Sequence, residues 1–240
     1  MQKPARSKGV ACVLTSCGLL HYNFCVNTEP IKYPPTFVIK AVQFAGLFIS
    51  KILWRIKFHN LENILQNLES GLIIVANHQT YFDPFWICLK IKRKFRFMAW
   101  DKAFNWFLIG KFIHYLGAFP VSLERGGTVK TIKQTLAALR DGATLVIFPE
   151  GSREFSDGKM LEFKTGAARL AIEANVPILP VTVRGANRVW AQDIKFPRLG
   201  KVEVIYHPLI KVAPPENNGK IDLYINELTE RLVEIIGSEL

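Results

Sequence analysis

The chain has 240 residues, 49% hydrophobic and 21% charged. That composition excludes a disordered chain and suits one domain with a sizeable core. Its 31 Lys and Arg against 20 Asp and Glu give a net charge of +11, which favours an anionic partner: nucleic acid, anionic lipid, or an acidic protein or substrate. Aromatic residues at 12% and a mean hydropathy of +0.15 favour lipid, and no nucleic-acid recognition motif accompanies the charge. Cys12, Cys17, Cys25 and Cys88 form no Cys-x-x-Cys pair, so neither a zinc site nor a disulfide framework is expected. A reducing, cytoplasmic setting fits that usage.

Residues 1–30 read as a leader, expected to be poorly ordered. Lys3, Arg6 and Lys8 precede a short apolar run, Gly9 to Val13, and Leu14-Thr15-Ser16-Cys17 follows. An export signal is the alternative. Residues 31–60 form a second segment, whose stretch 36–58 is the greasiest in the chain. Lys40, Gln43, Lys51, Arg55 and Lys57 interrupt it, whereas a spanning helix wants about 20 apolar residues with few charges. Lys40, Lys51 and Arg55 on one broad polar side, with Trp54 near the basic end, read as an interfacial helix with its apolar face in lipid. A core-packed helix and a true span are the alternatives.

Residues 61–240 alternate strands and helices. Strands are expected at 72–76, 95–100, 118–121, 143–148, 178–183 and 201–206. Helices are expected from Pro84 to about Lys90, from Thr128 to Arg140 with Gly142 just past its end, from Thr165 to Asn175, and over about 221–236. The pattern predicts an α/β fold with a mostly parallel central sheet flanked by helices, and sites in such sheets collect beyond the strands' carboxyl ends.

Strand 72–76 runs directly into Asn77-His78, and Asp83-Pro84 follows. Residues five apart sit about 140° apart on a helix, so His78 and Asp83 meet only if the chain turns between them. Asp83 is a natural N-cap and Pro84 a natural first helical residue. An Asp so placed can fix the imidazole's tautomer and raise its basicity. The pair alone fits equally a base acting on a hydroxyl or water, and a capped helix beside a spare histidine. The segment Phe148-Pro149-Glu150-Gly151-Ser152-Arg153 also follows a buried strand and is expected on the same sheet edge. Gly151 permits a tight turn, and Arg153 suits phosphate oxygens; Lys164 and Arg169 follow. Neither a nucleophile elbow nor a phosphate-binding P-loop is present. His21, His59, His114 and His207 have no partner at a telling spacing.

Asn-His-x-x-x-x-Asp followed some 70 residues on by Phe-Pro-Glu-Gly-Ser-Arg resembles the glycerolipid acyltransferases, specifically the 1-acylglycerol-3-phosphate acyltransferases. Gly117 to Val121 with Arg125, and Val176 to Val181, resemble that family's other two ordered blocks. The likeness covers residues 71–185 and extends more loosely to about 210. Ser122-Leu123-Glu124 stand before Arg125, where many members carry their Arg about two residues sooner. The resemblance implies a glycerol-3-phosphate acyltransferase-like fold and transfer of an acyl group from acyl-CoA or acyl-carrier protein to the hydroxyl of 1-acylglycerol-3-phosphate, giving phosphatidic acid. It implies His78 as general base with Asp83 as its orienter, Glu150, Gly151 and Ser152 shaping the acceptor site, and Arg153 with Arg125 binding the phosphate. No metal or cofactor is implied, and the expected location is the cytoplasmic face of an anionic membrane. The basic run 90–96 fits such a surface or a solvated edge. Residues 104–109 and 112–119 fit an acyl tunnel or ordinary core. Another lysolipid acceptor, a thioesterase and a non-catalytic lipid-binding protein are the competing functions.

Overall fold

The computed structural model describes residues 34–66, 68–93, 95–100, 105, 109–116, 118–121, 128–213, 215 and 218–240. The leader 1–30 and Arg125 lie outside these residues. The elements in chain order are α1 (Thr36–Trp54), β1 (Lys57–His59), β2 (Leu72–Ala76), α2 (Asp83–Cys88), β3 (Phe95–Trp100), α3 (Ile109–Tyr115), β4 (Ala118–Val121), α4 (Thr128–Arg140), β5 (Thr144–Ile147), α5 (Gly166–Ala174), β6 (Ile178–Arg184), α6 (Asn187–Trp190), β7 (Glu203–Tyr206) and α7 (Ile221–Gly237). One seven-stranded sheet has the order β1-β7-β6-β2-β5-β3-β4. Every neighbouring pair is parallel except β6 with β7.

The chain's apolar runs explain this arrangement. All five residues of β2 are buried, because alternate side chains enter different cores. Ile74 and Ala76 pack with Trp86, Ile87 and Val189 on the face of α2 and α6. Ile73 and Val75 pack with Leu139, Ala171 and Leu232 on the face of α4, α5 and α7. The expected helix ends are in place: Gly142 has φ +77° beyond α4 and Asn175 has φ +50° beyond α5, the left-handed conformation that closes a helix.

Helix α1 reverses the usual amphipathic order. Its polar side chains Gln43 and Ser50 face the fold: Gln43 Nε2 donates to Cys88 O (2.9 Å) and Ile91 O (2.8 Å), and Trp86 Nε1 donates to Ser50 Oγ (3.0 Å). Phe37, Phe44, Phe48 and Ile52 point outward, Phe44 with 75% of its surface exposed. The helix is long and apolar enough to cross a membrane, with a mean hydropathy of 1.6 and 6% of its apolar window buried. Lys40 and Lys51 are exposed beside the phenylalanines, at angular positions within roughly 80° of them at 100° per residue. The broad separate polar side expected from the sequence is therefore absent.

The basic run 90–96 is partly interior. Arg93 is buried; its Nε donates to Thr144 Oγ1 (3.0 Å), its Nη2 to Ser70 O (2.6 Å), and its Nη1 to Leu68 O. It ties the strand-entry loops together and adds nothing to a surface patch.

Candidate active site

Parallel pairing of β2 with β5 puts the loops after both strands on one sheet edge, as the sequence leads one to expect. His78 lies just beyond β2. Its Nδ1 is 2.9 Å from Asp83 Oδ2, and its ring stacks on Phe148, with centroids 4.1 Å apart. The His78 side chain is 18% exposed and that of Asp83 is fully buried. With Nδ1–H donating to Asp83, Nε2 holds the lone pair and is the nitrogen available to a substrate hydroxyl.

Asp83 is not the N-cap. It occupies the first turn of α2, Phe82 is the cap residue, and no side-chain cap bond forms. Its carboxylate instead turns back to the loop it follows. Oδ2 accepts from Gln79 N (2.6 Å) and Thr80 N (2.6 Å), and Oδ1 accepts from Thr80 Oγ1 (2.8 Å). The same carboxylate therefore folds the His78 loop and orients the ring.

Glu150 sits beneath the site, with almost no exposed surface. Its Oε1 accepts His78 N (2.7 Å) and its Oε2 accepts Leu161 N (2.7 Å). Burial pushes this carboxyl up to about 8; the two N–H donors oppose that, and nearby Glu154 and Asp83 add to it. Glu150 thus holds the His78 backbone, with both oxygens occupied by protein. Gly151 has φ +74°, and a Cβ added there would come within 2.8 Å of Lys164 Nζ. A side chain at 151 would be strained and would displace that ammonium. Ser152 is exposed at the tip. The Arg153 guanidinium lies 3.7 Å from the centre of the Tyr81 ring, and its Nη1 donates to Trp190 O (3.3 Å). Stacking fixes its plane and leaves other N–H donors for an anion. Arg169 instead pairs with Asp222 (3.0 Å) on the surface.

A buried polar network that no motif in the sequence announces lies beside these loops. Glu154 is fully buried, and burial raises its carboxyl above the usual range while two side-chain amides oppose the shift. Its Oε1 accepts Asn77 Nδ2 (3.0 Å) and its Oε2 accepts Gln79 Nε2 (2.9 Å), while its N–H donates to His78 O (2.7 Å). Asn77 exchanges two bonds with Val183, and Gln79 Oε1 accepts from Ala186 N and Asn187 N. Carboxamides on both sides of a histidine at the end of an apolar strand were the available signal. His207, given no role, is occupied by Thr182 (2.8 Å) inside the core. Among the described residues no group of three or more His, Cys, Asp or Glu is placed to hold a metal ion.

A helix-anchored His–Asp pair with an open Nε2, beside a stacked arginine, can take a proton from a hydroxyl or water held near an anionic group. A profile of the acyltransferase family matches residues 55–184, which spans both loops. The chain is 27% identical over 183 residues to the chloroplastic 1-acyl-sn-glycerol-3-phosphate acyltransferase of Arabidopsis thaliana, covering 75% of this chain and 49% of that protein. It is 36% identical over 140 residues to the 1-acyl-sn-glycerol-3-phosphate acyltransferase of Streptococcus pneumoniae, covering 56% of this chain and 50% of that protein. The matched regions thus span about half the length of these relatives. The crystal structure of the 1-acyl-sn-glycerophosphate acyltransferase of Thermotoga maritima superposes with a TM-score of 0.65 at 25% identity, covering 83% of this chain and 80% of that one. Since the profile match takes in more than half of the 240 residues and contains the His78–Asp83 pair together with Arg153, the chain belongs to the acyltransferase family.

Proposed function

We propose that this protein transfers a fatty acyl group from acyl-CoA or acyl-carrier protein to the free hydroxyl of 1-acylglycerol-3-phosphate, giving phosphatidic acid for phospholipid synthesis. The observation that carries the proposal is the pairing of His78 Nδ1 with Asp83 (2.9 Å) on the same sheet edge as the stacked guanidinium of Arg153. His78 Nε2 takes the hydroxyl proton as the acceptor oxygen attacks the thioester carbonyl, and the C–S bond breaks to release the thiol, which recovers the proton. Buried Asp83 stabilises the imidazolium in between. The phosphate of the acceptor binds to Arg153, assisted by Lys164 over Gly151 and by Arg125. No metal or cofactor enters this sequence of steps.

Two further features support lipid substrates. An apolar cavity of about 280 Å³ lies between α1, α2 and α3, lined by Ile39, Val42, Trp54, Phe82, Trp86 and Phe112 among others, and it suits a hydrocarbon chain. The outward phenylalanines of α1 suit attachment to an anionic membrane, on its cytoplasmic face.

Purified protein given an acyl thioester and a panel of lysolipids should release thiol only with an acceptor, most rapidly with the glycerol phosphate lipid. Thiol release independent of acceptor would make it a hydrolase, and no release with any donor would make it a binding protein. Arg153→Ala is expected to raise KM for the acceptor on the order of 10–100-fold, the worth of a hydrogen bond to a charged group, with kcat much less affected. Equal acceptor dependence in the two proteins would remove Arg153 from phosphate binding.

A further inference from the structure

The loop between α6 and β7, residues 191–202, takes no part in the chemistry above. Its backbone is firmly tied. Gln192 N donates to Glu154 O (3.1 Å), Arg198 N to Val189 O (2.9 Å), Gly200 N to Leu53 O (3.4 Å) and Val202 N to Trp54 O (3.1 Å). Trp54 Nε1 donates to Arg198 O (3.0 Å), and Asp193 accepts from Ser156 N (2.9 Å). Yet this fixed loop presents Phe196 with 68% and Leu199 with 75% of their surfaces exposed. Lys195, Arg198 and Lys201 are interleaved with them and also exposed, and Lys195 Nζ lies 5.4 Å from the centre of the Phe196 ring.

The bonds to Leu53 and Trp54 fasten this loop to the C-terminal end of α1, the helix whose phenylalanines are exposed. A protein interface depletes lysine at its apolar centre. Here the cations stand between the apolar side chains, the pattern of a segment that lies in a headgroup layer. An aromatic chain leads from this place to the site. Trp54 and Phe82 have ring centroids 4.9 Å apart, Phe82 and Trp190 5.3 Å, and Trp190 and Tyr81 5.1 Å, and Tyr81 carries Arg153.

We propose that residues 192–201 are a second membrane anchor: Phe196 and Leu199 enter the headgroup boundary of an anionic bilayer beside α1, with Lys195, Arg198 and Lys201 on lipid phosphates. Two adjoining anchors hold the side of the molecule bearing Tyr81 and Arg153 against the surface in which the acceptor is dissolved. The inference rests on the reading of α1 as membrane-facing.

The test uses the full chain with Cys12→Ser, Cys17→Ser and Cys25→Ser, since Cys88 is buried. An environment-sensitive fluorophore is attached at Leu199→Cys, and in a control at Leu223→Cys, an exposed position on α7 across the sheet. With vesicles of phosphatidylcholine and phosphatidylglycerol, the label at 199 should shift to the blue and be quenched by a shallow lipid-borne quencher, and the label at 223 should not. Phe196→Ser with Leu199→Ser should weaken vesicle binding roughly tenfold or more, as expected when two large apolar contacts leave the lipid, while activity on a detergent-dispersed acceptor is kept. An unshifted label at 199 in protein that sediments with the vesicles overturns the second anchor and leaves the reading of α1 standing. Protein that fails to sediment with the vesicles, or whose sedimentation is unaffected by Phe44→Ser with Phe48→Ser, overturns the reading of α1 as membrane-facing.

Discussion

His78→Ala is expected to lower acyl transfer by about 10²–10⁴-fold, the contribution of a poised general base, and to leave the unfolding midpoint nearly unchanged. The two outcomes separate because of what Asp83 does. When the imidazole goes, the Asp83 carboxylate still accepts from Gln79 N, Thr80 N and Thr80 Oγ1, so the loop keeps its fold. Asp83→Ala is the contrasting case: it orphans those donors in a fully buried place, at about 1–3 kcal/mol for each, and stability should fall together with rate. Transfer kinetics and thermal unfolding, measured on both variants, check the pair. Turnover retained in His78→Ala would remove His78 as the base.

The sheet was legible because its central strands are short apolar runs bounded by polar or turn residues, and such runs are buried on both faces wherever helices cover a parallel sheet. The meeting of the loops after β2 and β5 followed from the same reasoning, because sites gather beyond parallel strands' carboxyl ends. Two things were not legible. The strand Lys57–His59 pairs only with Glu203–Tyr206 and carries no pattern of its own, being three residues long. Asp83 reads as a cap from its place before Pro84, but whether a carboxylate points forward along a helix or back into a loop depends on where the loop's N–H groups lie. The inward side of α1 was not legible either: Gln43, which reads as an interruption of the apolar run, bonds to the fold together with Ser50, while the phenylalanines are turned outward.

Glu154→Gln should cost about 1–3 kcal/mol or more of a total stability on the order of 5–15 kcal/mol, although it changes no volume. Both Glu154 oxygens accept from carboxamide NH2 groups, and neither carboxamide can turn over. The Asn77 oxygen is held by Val183 N (2.8 Å) and that of Gln79 by Ala186 N (2.8 Å) and Asn187 N (3.1 Å). A glutamine at position 154 therefore sets its own NH2 against another NH2 in a fully buried place. Because Glu154 N also holds His78 O (2.7 Å), movement of this loop should misplace the base, and a displacement of 1 Å can cost about 10²-fold in kcat. Gln79→Glu added to Glu154→Gln exchanges amide and carboxylate across the same gap. The new carboxylate at position 79 accepts from Ala186 N, Asn187 N and the amide introduced at position 154, and the oxygen of that introduced amide accepts from Asn77. The double variant should thus regain most of the stability and rate lost by the single one, a coupling that a double-mutant cycle reads directly. If the losses simply add, the complementarity of this network is not what holds His78 in place.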